Sequence, residues 1–261
     1  MDFHPVEENL RQSFRALASG RPKAAVRELP GVSIASLGVR FQMFNAAFLS
    51  SPVDGANDLT ARLELARGHF AEERRPWSLW VCEDWLSWNA RRRLSRVCGM
   101  FGLRIAAELP GMIATNLTPG SRPKLALDIQ RVESEQDLAA FRRIGSDCFR
   151  VPPDWFGEVF SPPIISNPQF ECWVARLDGV AVATAATVPF RGAIGLYNIA
   201  TVASCRGRGI AQAITRHAAM DARRRFGHLP LVLQSTPMGL GIYERLGFKP
   251  VTRVLAYVSA T

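Results

Sequence analysis

Apolar residues recur along the chain with two different spacings. "LALDIQRV" (Leu125–Val132) alternates apolar and polar side chains, the period of a half-buried strand. "SEQDLAAFRRIGSDCF" (Ser134–Phe149) instead carries Leu138, Phe141 and Ile144 at helical spacing behind a serine and an acidic first turn, the signature of a helix start. "VPPDWFGEVFSPP" is broken by prolines and rich in aromatic residues. Three strands follow in "FECWVARLDGVAVATAATVPFRGAIGLYNIATV", with Asp178-Gly179 as a hairpin turn and "FRGAIG" as a second turn. The pattern then predicts a helix from near Gly209 to about Phe226, a buried strand in "LPLVLQS", a short helix in "MGLGIYERLGF" and a last strand in "VTRVLAYVS". The order β-α-β-β-β-α-β-α-β predicts an α/β (α+β) fold. Its sheet is mixed and mostly antiparallel, with helices flanking it, and it is parallel only where a helix crosses over.

Part of this order recurs upstream. "DLTARLELARGHFAEER" reads as a helix, "WSLWVCED" as a strand and "LSWNARRRLSRVCGM" as a helix. When "MFGLRIAAELPGMIAT" (Met100–Thr115) is set beside "RLGFKPVTRVLAYVSA" (Arg245–Ala260), Gly102 falls on Gly247, Leu103 on Phe248 and Arg104 on Lys249. The recurrence predicts an internal duplication. Two ordinary helix–strand segments, each closed by a glycine, produce the same pattern. "LTPGSRPK" (Leu117–Lys124) is Pro/Gly punctuation between patterned segments and marks a seam, which divides the chain into residues 1–120 and 121–261.

Composition narrows the setting. The chain has 261 residues, 48% of them apolar. Mean hydropathy is +0.02. This is a globular composition, and no apolar run of about 18 residues is present to span a membrane. No signal peptide is visible at the start of the sequence. The five cysteines (Cys82, Cys98, Cys148, Cys172 and Cys205) are odd in number, widely spaced and without a CxxC pair. They suit reduced thiols in a cytoplasm, and with four scattered histidines no metal site is readable. Net charge is +9, nearly all of it from arginine. Through Arg122 there are 16 basic and 12 acidic residues, and beyond it 16 and 11, so the charge is spread and not gathered into a tail. A nucleic-acid module would need clustered charge with exposed aromatics. The runs Arg91–Arg93 and Arg223–Arg225 read as solvated helix faces.

The segment richest in chemistry is "SCRGRGIAQAITRHAAM" (Ser204–Met220). A strand leads into a Gly/Arg turn and then into a helix whose first N–H groups have no partner, which is a cradle for an anion. Glycines let those amides approach closely. The turn has no GKS or GKT ending, so it is not a Walker loop. Gln212 stands where a dinucleotide loop wants its third glycine, and the turn follows four strands instead of one.

Arg206-Gly-Arg-Gly209-Ile-Ala211 resembles the Q/R-x-x-G-x-G/A signature of the GNAT acyl-CoA N-acyltransferases. A second block is similar in register: "QSTPMGLGIYERLGF" (Gln234–Phe248), with Tyr243 in a short helix followed by Gly247-Phe248. The resemblance covers about half the chain. It implies an acyl-CoA N-acyltransferase fold, duplicated, with 121–261 as the acetyltransferase domain and 1–120 as a degenerate copy lacking the Gly/Arg turn. It implies acetyl-CoA as co-substrate without a metal, and an amine acceptor, either a small molecule or a peptide. The backbone from Arg206 through Gly207, Arg208, Gly209 and Ile210 to Ala211 would hold the coenzyme A diphosphate. Thr201 and Val202 would pair with the pantetheine amides, on a strand that must splay from its neighbour. Tyr243 would be the general acid, and a tyrosine packed in a short helix is the plain alternative. The strand "GLYNIATV" offers Asn198 and no carboxylate, so Asn198 would hold a water in place of a base. Glu171, Asp154 and Glu158 are further acidic candidates. Trp155, Phe156 and Phe160 would either line the acceptor pocket or pack beneath a loop. Cys205, beside the helix start, is read as incidental. The missing base also admits a non-catalytic acyl-CoA sensor. Peptide-bond formation from aminoacyl-tRNA is a third reading, which the arginine content permits and no motif singles out.

Overall fold

The computed structural model describes residues 2–120 and 126–259. The end of the predicted seam and Leu125 lie outside the described residues. The first half runs α1 (His4–Ala18), β1 (Ala25–Leu29), β2 (Val32–Ser36), β3 (Asn45–Leu49), α2 (Ala56–Glu72), β4 (Ser78–Cys82), α3 (Trp88–Met100) and β5 (Leu103–Ala114). The second runs β6 (Asp128–Arg131), α4 (Glu135–Phe149), α5 (Pro153–Val159), β7 (Glu171–Leu177), β8 (Val180–Phe190), β9 (Ala193–Thr201), α6 (Ile210–Phe226), β10 (Leu231–Gln234), α7 (Leu240–Arg245) and β11 (Lys249–Ser259).

Local signals explain most boundaries. Ser134 caps α4 by accepting a hydrogen bond from the Asp137 amide at 3.1 Å. Asp178 and Gly179 both take positive φ, 51° and 78°, as a two-residue hairpin turn demands. Gly102 and Gly247, aligned in the repeat, both follow a helix and take φ of 70° and 96°.

Among the described residues, eleven strands form one sheet in the order β1-β2-β3-β4-β11-β5-β10-β9-β8-β7-β6. Only β3–β4 and β9–β10 are parallel. The sheet is therefore mixed and mostly antiparallel, flanked by helices. The order reads nearly the same outward from its centre. The last strands of the two halves, β11 and β5, pair antiparallel there, and each lies against the other half's sheet. An antiparallel, a parallel and two further antiparallel pairings follow on both sides, and β6 is an additional edge strand.

Period-two alternation sends side chains to two cores. On one face α2 and α3 cover Ile34, Ala47, Leu79 and Leu255, while α6 and α7 cover Ile194, Leu196, Leu231 and Met112. On the other, α1 crosses the middle of the sheet with Leu10 and Phe14 against Ala35, Phe48 and Ala256. There α4 and α5 bury Phe141, Phe156 and Phe160 over Val174 and Val188. Asn9 ties α1 to the second half, donating to Val188 O at 3.0 Å and accepting from the Tyr197 hydroxyl at 2.8 Å. Among the described residues, no helix is long and apolar enough to cross a membrane, and no group of three His, Cys, Asp or Glu is placed to hold a metal.

Candidate functional site

β9 and β10 pair only at Ile194–Leu231 and Gly195–Val232. Beyond Gly195, β9 stays on β8 while β10 stays on β5 as far as Gln234–Gly111. The two strands part and leave a gap in the middle of the sheet. A bulge accompanies the departure. Asn198 and Ile199 of β9 oppose Ala185 alone, and Asn198 adopts φ 48° while its carbonyl accepts from Thr184 Oγ1 at 2.8 Å. The extra residue adds local twist and bends the strand.

α6 begins at the mouth of this gap. Gly207 and Gly209 take φ of 77° and 83°, where an L side chain costs about 1–2 kcal/mol. Gly209 is the N-cap and has no side chain to offer the first turn. Ala213 N is bonded to Gly209 O, so the amides of Ile210, Ala211 and Gln212 have no partner one turn back. They stand at the positive end of a 17-residue helix. A Cβ added at Gly207 would meet open space. Between α6, α7, β9 and the end of α4 lies a cavity of about 570 Å³.

Thr201 closes one side of the cavity. Its carbonyl accepts from Arg206 Nε at 3.0 Å and from the Cys148 thiol at 3.4 Å, while its buried hydroxyl has no protein partner. The Tyr243 ring enters from α7, edge-on to Phe248 with centroids 5.9 Å apart. Gly239 makes room for it, since a Cβ there would come within 2.8 Å of the ring. Burial pushes the Tyr243 phenol above its ordinary range, so it remains a proton donor through neutral pH.

Residues 168–250 match the model of the acetyltransferase (GNAT) domain. A GCN5-related N-acetyltransferase from Kribbella flavida superimposes with a TM-score of 0.71 at 20% identity, covering 98% of this chain and 96% of its own. A conserved Staphylococcus epidermidis protein of unknown function gives 0.67 at 13% identity, covering 90% and 94%. A GCN5-related N-acetyltransferase from Sphaerobacter thermophilus gives 0.58 at 15%, covering 88% and 76%. The fold is that of the GNAT acetyltransferases. No curated protein sequence matches the chain significantly.

Within this GNAT fold the cavity wall gathers Thr201, Tyr243 and all of Arg206–Ala211 except Arg208. Three expected residues lie outside the wall. Arg208 points into solvent from the turn. Val202 donates its N–H to Val182 O, and its carbonyl accepts from Cys205 N, so its N–H is not available to a ligand strand. Strand alternation turns the Thr201 N–H the opposite way, toward the gap. Asn198 occupies the bulge and does not reach the wall.

The other acidic and aromatic candidates are held elsewhere. Glu171 is 6% exposed and clamped by the Arg225 guanidinium, with Arg131 at 3.4 Å. Arg40 pairs with both Asp154 and Glu158, at 2.8 and 2.6 Å. Phe156 and Phe160 are core residues, and Phe156 lies directly over Gly145. Trp155 packs toward Phe41. Arg223–Arg225 is not simply a solvated face: Arg223 donates to the Thr115 and Leu229 carbonyls, and Arg225 holds Glu171.

Several wall residues escape a motif reading: Cys148 and Phe149 at the end of α4, and Ile199 in the bulge. Thr236–Gly239 before α7 belong to the second block, whose resemblance gives them no role. Cys205, read as incidental, also lies in the wall.

The first half has no such gap. β3 and β4 pair from Ala46–Ser78 to Phe48–Trp80, and Val53 then bridges Leu86, donating to Trp85 O and accepting from Ser87 N. Arg62 binds the Ser51 carbonyl at 2.8 Å and Asp58, filling the turn before α2.

Proposed function

We propose that the chain transfers an acetyl group from acetyl-CoA directly to an amine, using the gap between β9 and β10. The observation that carries this reading is the parting of those strands at the uncapped start of α6, with the Tyr243 phenol in the wall. The residues present fit the group. The α6 amides and the open approach over Gly207 suit a diphosphate. The unpaired edge of β9, with the Thr201 N–H and orphaned hydroxyl, suits an amide-bearing arm lying along it.

Acetyl-CoA supplies the activated acyl carbon. Its carbonyl oxygen would be polarised by a β9 amide as negative charge develops. The amine nitrogen bonds the acyl carbon, the carbon–sulfur bond breaks, and Tyr243 gives its proton to the leaving sulfur. The proton released by the amine passes to solvent, which later restores the phenol.

The palindromic strand order and the matched Gly102 and Gly247 support an internal duplication, with residues 121–261 as the binding half and 1–120 as a copy whose gap is sealed by Val53 and Arg62. The absence of a carboxylate from the wall favours one second reading, a non-catalytic acyl-CoA sensor. Thiol release with any amine separates the two.

Calorimetric titration with acetyl-CoA tests the site. Gly209→Glu places a carboxylate at the diphosphate position and is expected to weaken binding at least 100-fold. Gly209→Ala carries the same backbone strain without the charge and is expected to lose about tenfold or less. Equal affinities in all three proteins would refute the site.

A further inference from the structure

Five ionisable side chains line the cavity: the thiols of Cys148 and Cys205, the guanidinium groups of Arg206 and Arg245, and the Tyr243 phenol. None is a carboxylate, an imidazole or an amine. The acids Glu171, Asp154 and Glu158 are tied to arginines outside the wall. Elsewhere the wall is mostly apolar, with Phe149, Ile199, Pro237, Met238 and Ile242, and its other polar side chains, Thr201, Gln212 and Thr236, carry no charge.

Building on the acyl-transfer reading above, we propose that the acceptor is a weakly basic amine on an apolar body, entering the cavity uncharged. An ammonium group brought into this wall would leave water for apolar contact, at a cost of several kcal/mol when no counter-charge receives it. Its proton must come off before the nitrogen can attack, and the wall offers no carboxylate, imidazole or amine to take it. The Tyr243 phenol holds its own proton more tightly than usual because it is buried.

An amine that sheds its proton in water avoids these costs. At pH 7.5 a lysine side chain is roughly 0.1% neutral and an α-amine roughly one third neutral, from ordinary values near 10.4 and 7.7–8.0. The supply of nucleophile therefore differs by about 300-fold before any contact is made. An aromatic amine, whose lone pair is shared with its ring, is neutral throughout. Arylamines and the α-amines of apolar amino acids or peptides share the required chemistry.

The test uses the full chain, with acetyl-CoA binding followed by calorimetry and thiol release followed for four acceptors. These are 4-methoxyaniline, phenylalanine amide, Nα-acetyl-lysine amide and spermidine. At pH 7.5 at least one of the first two is expected to exceed both cations by at least ~100-fold in kcat/KM, the ratio that neutral-amine supply sets. Which of the two leads identifies the source as an arylamine or an α-amine. For each acceptor that titrates in the accessible range, kcat/KM is expected to rise with pH and level off at that acceptor's own pKa.

Met238 lines the cavity and stands 72% exposed, so a carboxylate placed there keeps its water. Met238→Glu is expected to narrow the preference against the cations at least tenfold, and an unchanged ratio would overturn the proposal. A preference for the cations, or a pH break common to all acceptors, would overturn it too. Acetyl-CoA binding without turnover of any of the four overturns this proposal and leaves the binding site standing. No acetyl-CoA binding overturns both.

Discussion

Tyr243 keeps its proton because its ring is buried against Phe248 in a space that Gly239 leaves open. Tyr243→Phe preserves that packing and removes the donor. The expected result is a fall in kcat of about 10²–10⁴-fold, the usual worth of a general acid, with acetyl-CoA affinity unchanged within about twofold. Equal loss of binding and turnover would make the hydroxyl a packing group. A second consequence concerns stability. Burial raises both the Tyr243 and the Tyr197 phenols above the unfolded value near 10. Below that pH both states carry the protons and stability is unaffected. Above it the unfolded chain releases protons that the folded protein retains, so stability falls as pH rises. The slope is about 1.4 kcal/mol per pH unit for each phenol. Denaturation midpoints measured from pH 9 to 11 are expected to fall less steeply in Tyr197→Phe and in Tyr243→Phe. At this level the sequence was informative where chemistry needs a particular residue type: Gly207, Gly209 and Tyr243 are marked by what other residues cannot do. Val202 and Asn198 lie outside the wall for a reason the sequence does not carry. One extra residue in β9 reassigns every amide beyond it, and a bulge is decided by the partner strand as much as by its own sequence.

Gly102 and Gly247 end α3 and α7 in the same backbone conformation but in unlike surroundings. A Cβ at Gly102 meets nothing, whereas at Gly247 it would press on the Asn116 carbonyl and Thr118 at 2.9 Å. Gly102→Ala is expected to cost about 1–2 kcal/mol, the price of the left-handed backbone alone. Gly247→Ala must also move the segment following β5 and is expected to cost at least ~1 kcal/mol more, by the usual cost of overpacking. Urea denaturation of the two variants checks the order, and equal costs would count against it. Periodicity and turn residues foretold most helices and strands from α2 onward, because each carries its own signals, but not α5, a seven-residue helix that begins on Pro153 inside the proline-broken segment. α1 has a regular apolar spacing too, with Val6, Leu10, Phe14 and Leu17 buried. Its placement was not legible, since Asn9 finds its partner Val188 179 residues away.

The seam near residue 120 divides the sequence but not the sheet. β11 supplies the edge that β4 and β5 share, and β5 supplies the edge that β10 and β11 share. Fragments 1–120 and 121–261 are each expected to be unfolded alone by circular dichroism and to regain structure when coexpressed, and the intact chain to melt in one calorimetric transition. Two separate transitions, or a folded fragment, would show that the exchange is dispensable. A linear reading finds the recurring pattern but not the exchange, because either strand pattern fits either side of the centre.

That crossing also sets an order of events during synthesis. The strand that belongs between β4 and β5 is not made until Lys249–Ser259. For well over a hundred residues of elongation both segments wait for their shared partner, a non-local pairing that slows folding and invites wrong contacts. A ribosome that stops early therefore releases a product with a missing central slat, one that proteolysis can recognise and remove.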